Sequence, residues 1–163
     1  MSSLKYKLKG IIIPYKLDGL LNNLLVLLPR VISGILLCFV YAPQNIGTPW
    51  SPEDLNLQLL KINPTFVGHV RDFGPPFDLM PLVFSWSAII TMAFGGFLMI
   101  LGLNTRITSF FLVMTMFITI LFREWDNSWS ILPTFLFFCT GLFYLGFGSG
   151  KFGLDYYISK HYL

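Results

Sequence analysis

Between Ala93 and Phe110 an apolar helical pattern runs into Gly102-Leu103-Asn104-Thr105-Arg106, and a second apolar pattern begins at once. Five residues of turn formers and one charge are too few to cross a bilayer, so both flanking helices must end on the same side of it. Arg106 marks that side as cytoplasmic, because short cytoplasmic loops collect Lys and Arg. The rest of the chain has to be compatible with this membrane hairpin.

Composition agrees. Only 12% of the 163 residues are charged and 55% are hydrophobic, with a mean hydropathy of +0.69, whereas a soluble domain carries roughly 25% charged residues. The net charge of +3 is too small to point to nucleic acid. Four apolar runs reach or approach the roughly 20 residues that span a hydrocarbon core: about 24–42, 79–103, 107–122 and 129–148. The expected fold is an all-α integral membrane four-helix bundle, a single domain over 1–163, with a long extracytoplasmic loop at 43–78 between helices 1 and 2. The basic N-terminus resembles the start of a signal peptide, but Pro14, Lys16 and Asp18 break the apolar run. No small-residue cleavage site follows Leu28, so the first helix reads as a retained anchor.

Basic residues decide the orientation. With both termini inside, Lys5, Lys7, Lys9, Lys16, Arg30, Arg106, Lys151 and Lys160 are cytoplasmic, against Lys61, Arg71 and Arg123 outside. The chain is therefore expected N-in and C-in.

Arg30, next to Pro29, is the charged residue within the first span. It can snorkel to the headgroups, or turn inward and pair with Asp155; both readings stand on the sequence alone. Arg106 is the third candidate for structural ion pairing. In the second helix Gly95, Gly96 and Gly102 are candidate packing residues, since small side chains let helices approach closely in lipid.

In the outer loop, Ser51-Pro52-Glu53-Asp54 has the chemistry of a helix start, and Leu55, Leu59, Leu60 and Ile62 would give that helix one apolar face before Asn63-Pro64 stops it. Long structured loops concentrate binding residues. Trp50, His69, Arg71 and Asp72 are accordingly the candidate docking residues for other membrane or extracytoplasmic proteins, and a lid that only covers the helix ends is an equal reading of the same loop. Arg123 to Trp129 reads as a short outer turn with interfacial tryptophans.

Several chemistries lack their residues. Gly148 to Gly153 matches G-x-G-x-x-G in letters but follows a membrane helix instead of a strand, and Phe152 stands where a phosphate-binding loop needs Ser or Thr. His69 and His161 lie outside the spans, which disfavours haem; Cys38 and Cys139 form no C-x-x-C pair and sit at different expected depths. Every Asp and Glu falls in a loop or tail, so no carboxylate lies at membrane depth for proton-coupled work. No metal site and no cofactor is expected, and the catalytic residues, if any, are not legible.

These residues together resemble the DoxX family of small bacterial and archaeal membrane proteins. The resemblance is carried by Arg30 and Gly34, by Gly95-Gly96 through Gly102-Leu103 with Arg106, and by Gly148-x-Gly150-Lys151-x-x-Leu154-Asp155. It implies four membrane helices and association with redox systems, some relatives forming part of a thiosulfate:quinone oxidoreductase and others associating with detoxifying enzymes. Relatives often carry a glutamate early in the second helix, near Met92 here, and a Gly-x-x-Lys where Tyr41-Ala42-Pro43-Gln44 stand. Those missing polar positions turn the expectation toward an accessory or structural subunit of a larger membrane complex. The alternative is the membrane subunit of a quinone-linked oxidoreductase, with quinone between the helices.

Overall fold

A computed structural model describes residues 19–122 and 131–162. Its helices are α1 (Leu20–Asn45), α2 (Pro64–Arg71), α3 (Pro81–Leu101), α4 (Thr105–Phe122), α5 (Leu132–Phe147) and α6 (Leu154–Tyr162). The described residues are all-α apart from one isolated bridge, Ile46 to Ile62. Three helices, α1, α3 and α4, are long and apolar enough to cross a membrane. The fourth expected span appears as α5, whose 16 residues would rise only about 24 Å against a hydrocarbon core of about 30 Å. Helices α2 and α6 add two elements the apolar runs did not mark. The basic flank Lys5 to Lys16 and the turn Arg123 to Trp129 lie outside the described residues.

Helix α1 shows how the bundle is solvated. Asn23, Val26, Arg30, Ser33, Gly34 and Leu37 are buried along one stripe, while Leu21 is 70% exposed and Leu25 60% exposed on the other face. A soluble helix carries its polar residues outward. Here the polar stripe faces the protein and the leucines face out, an arrangement that is stable only against lipid.

Close helix approach follows the glycines. A Cβ added to Gly34 would lie 2.7 Å from the Gly96 carbonyl, and one added to Gly96 would lie 2.9 Å from the Gly34 carbonyl. Only hydrogen at both positions lets α1 and α3 cross backbone to backbone. Just beyond this crossing both helices widen into π-helical turns, Leu36–Tyr41 and Thr91–Gly95, which lie against each other. The first sits one turn before Pro43, whose ring cannot accommodate the carbonyl four residues back. Helices α4 and α5 pack along each other's length. Leu37, Met99, Leu112, Met116, Phe137 and Tyr144 fill the centre.

Helix α3 ends at Leu101 with Gly102 left-handed (φ 67°). The amide of Leu103 reaches the Leu98 carbonyl at 3.0 Å and that of Gly102 the Met99 carbonyl at 3.1 Å, the paired bonds of a Schellman cap. The hairpin read from the sequence is therefore closed by local chemistry.

The outer segment corrects one expectation. Ser51 starts no helix: Glu53–Leu55 makes a single 3₁₀ turn, ended by Asn56 at φ 44°. The Ser51 hydroxyl instead donates to the Ile46 carbonyl at 2.9 Å and accepts from the Thr48 amide at 2.7 Å. The helix begins where the sequence suggested a stop. Asn63 accepts from the Thr65 amide at 3.0 Å and Pro64 occupies the first helical position, so the Asn-Pro pair caps α2. Backbone bonds Gly47 to Lys61 (2.9 Å), Leu60 to Gly47 (2.8 Å) and Asn63 to Asn45 (2.9 Å) tie the segment back to the end of α1. That pairing leaves residues 56–62 no freedom to coil into a helix.

Candidate functional site

Two regions at opposite ends of the α3 and α4 hairpin hold the polar residues singled out by the sequence. At the end formed by the hairpin turn, α1 brings Arg30 to 1% exposure. Its guanidinium donates to the Ser149 carbonyl and, at 3.4 Å, to the Phe152 carbonyl. Both acceptors belong to the glycine-rich turn between α5 and α6, where Gly148 and Gly150 take φ of 72° and 70°. Room for the guanidinium is made by glycine: a Cβ on Gly102 would lie 2.5 Å from its Nη1, and one on Gly153 would lie 3.0 Å from the same atom.

Asp155, in the first turn of α6, is 6% exposed. Its carboxylate accepts from the amides of Asn104 (2.7 Å) and Thr105 (3.0 Å), and its own amide donates to the Gly102 carbonyl at 3.0 Å. A carboxylate on the first amides of α4 complements the positive end of that helix, so Asp155 caps α4 from a distant part of the chain. The Arg30 and Asp155 side chains thus spend their hydrogen bonds on main-chain groups, tying α1, the hairpin turn and the chain after α5 into one polar knot. Tyr144 adds a fourth strand to it by donating to the Val26 carbonyl at 2.6 Å. Arg106 donates to the Gly146 carbonyl at 3.2 Å, in the last turn of α5, where a cation also suits the helix dipole.

This geometry gives a physical reason for rejecting a nucleotide at Gly148 to Gly153. A phosphate cradle turns amides inward; this turn presents carbonyls, and a guanidinium fills it. Among the described residues, Arg30 Nε and Thr105 Oγ1 are buried without a hydrogen-bond partner. Among the described residues no three of His, Cys, Asp and Glu are grouped to hold a metal, and Cys38 and Cys139 are free thiols on different helices.

At the other end the candidate docking residues separate. Trp50 is 53% exposed and lies against Phe39, ring centroids 5.7 Å apart. Helix α2 has three faces: Phe66 and Val70 point to the core, His69 and Asp72 are exposed together, and Val67, Gly68 and Arg71 line a groove. The groove, about 570 Å³, is completed by Lys61 and by Leu82 and Trp86 from α3. Sequence reading grouped Arg71 with His69 and Asp72 because they are neighbours in the chain. Helical geometry turns Arg71 away from them. Lys61 and Trp86 were missed as partners of Arg71 because they come from other segments. Tyr144 and Ser149 could have been suspected, since a hydroxyl in an apolar helix or a buried turn needs a partner.

A bundle with lipid-facing leucines, an inward polar stripe, glycine crossings and three helices able to span the bilayer defines a small multi-helix membrane protein. The DoxX family model matches residues 57–125, from the outer segment through α2 and α3 to just past α4, and supports the assignment to the DoxX family. The match includes Gly95, Gly96, Gly102 and Arg106; Arg30 and the glycine-rich turn lie outside it. No curated protein and no solved structure matches the chain.

Proposed function

We propose that this DoxX-like chain is an accessory or structural subunit of a larger complex in a bacterial inner membrane. Four passes agree with the four apolar runs of the sequence, and the split of basic residues supports a hairpin turn and both termini in the cytoplasm. The reading is carried by one observation: the buried charges Arg30 and Asp155 hold the chain's own main chain together, as a scaffold requires. His69 and Asp72, exposed side by side on α2, would meet a partner protein. Purification in mild detergent tests this. A partner should co-purify with the full chain and be lost from the His69→Ala, Asp72→Ala double variant; a chain that purifies alone would refute it. Labelling single cysteines at Asn104 and Ser51 should find them on opposite sides of the membrane.

A quinone-linked role is the second reading, supported by an apolar groove of about 380 Å³ lined by Ile107, Phe110, Phe111 and Leu145 with Arg106 at its edge. Aromatic walls suit a flat ring, and a guanidinium suits a quinone oxygen. Quinone extracted in stoichiometric amount, and reduced in Arg106→Gln, would favour this reading over the first.

A further inference from the structure

The groove between α2 and α3 combines two features that fit one kind of ligand. Lys61 and Arg71 both line it, and among the described residues neither side chain has a hydrogen-bond or ion-pair partner. Its walls are apolar, and they run into side chains that face outward from the bundle: Leu82 is 59% exposed and Trp86, 38% exposed, is an interfacial residue type. Leu60, 65% exposed, stands at the rim beside Lys61. A water-soluble partner would leave these apolar side chains poorly matched, and an apolar one would leave two cations buried without counter-charge. An anionic phospholipid satisfies both requirements.

The geometry points to a binding site for one anionic phospholipid, its phosphate between Lys61 and Arg71 and its acyl chains along Leu82 and Trp86 of α3. The placement is informative because outer loops carry few cations. On the orientation given above, two of the three outer basic residues line this one groove. Gly68 faces open space, since a Cβ added there meets no atom within 4 Å, so the middle of the α2 face leaves room for a headgroup. The inference goes beyond the proposed scaffold role and does not depend on it, because His69 and Asp72 lie on another face of α2.

The test is native mass spectrometry of the full chain in mild detergent, titrated with phosphatidylglycerol or with phosphatidylcholine of the same acyl chains. Wild type should bind phosphatidylglycerol in preference. Each basic residue near a membrane surface contributes about fivefold in affinity, so Lys61→Gln with Arg71→Gln should lose about thirtyfold for phosphatidylglycerol and little for phosphatidylcholine. The charge-keeping pair Lys61→Arg and Arg71→Lys should retain binding. Gly68→Phe, which keeps both charges and fills the groove, should lose it, and decides the matter should the double variant fail to fold. Equal phosphatidylglycerol binding by wild type and Gly68→Phe would overturn the site. So would displacement of the lipid by millimolar inorganic phosphate, which would make the ligand a soluble anion. A change in the mass of co-purified protein, with lipid binding unaltered, would make the groove a protein contact and also overturn it.

Discussion

The two ends of this bundle use charge in opposite ways. At the hairpin end Arg30 and Asp155 are buried and bonded to main-chain groups from two parts of the chain, the hairpin turn and the turn after α5. At the other end Lys61 and Arg71 face a groove, and the segment is held by backbone bonds and by Ile46, Ile62 and Ile89 packed together. A charge that is already satisfied internally stabilises but recognises nothing. A charge left at a surface contributes little to stability and remains available to a ligand. Stability and recognition should therefore separate along the molecule.

The contrast breaks most sharply at Arg30. Arg30→Ala leaves the Ser149 and Phe152 carbonyls without their charged donor, and the loss of two charge-assisted hydrogen bonds should destabilise the protein by about 3–5 kcal/mol, read from unfolding in mixed micelles. A loss below 1 kcal/mol would mean that the knot is not what holds the hairpin end closed. Gly34→Val comes next. Its side chain would meet the Gly96 carbonyl and Ile100, and overpacking of this kind costs roughly 1–3 kcal/mol; an unchanged midpoint would show that α1 and α3 do not cross there. Tyr144→Phe removes one buried hydrogen bond, leaves the ring in place, and should cost about 1 kcal/mol. Smallest is the outer face: His69→Ala with Asp72→Ala should stay within about 0.5 kcal/mol of wild type while abolishing partner capture. If that pair destabilises as much as Arg30→Ala, the division between the two ends is wrong.

The hairpin was legible because its determinants are adjacent in the chain: Gly102 and Asn104 supply the positive φ values, at 67° and 50°, that the turn needs. The Ser51 and Asn63 segments show the limit of such reading. Both carry a capping residue followed by proline, and local chemistry cannot rank them. The pairing of Ile46 with Ile62 selects the second, because it and the neighbouring backbone bonds tie residues 60–63 to the end of α1. Arg30 shows the same limit for the site. An arginine one helical turn from either outcome can snorkel or turn in, and the decision lies with acceptors more than a hundred residues away.

What the sequence alone determined is the medium and the local punctuation: long apolar runs demand lipid, and glycine and proline mark turns and caps. These are properties of a residue and its near neighbours. Only the tertiary structure decided which charges are consumed and which are left facing a groove, which glycines meet a backbone, and how α2 divides its faces. Each of these depends on an acceptor, a wall or a counter-charge supplied by a remote segment, and no local pattern encodes that distance.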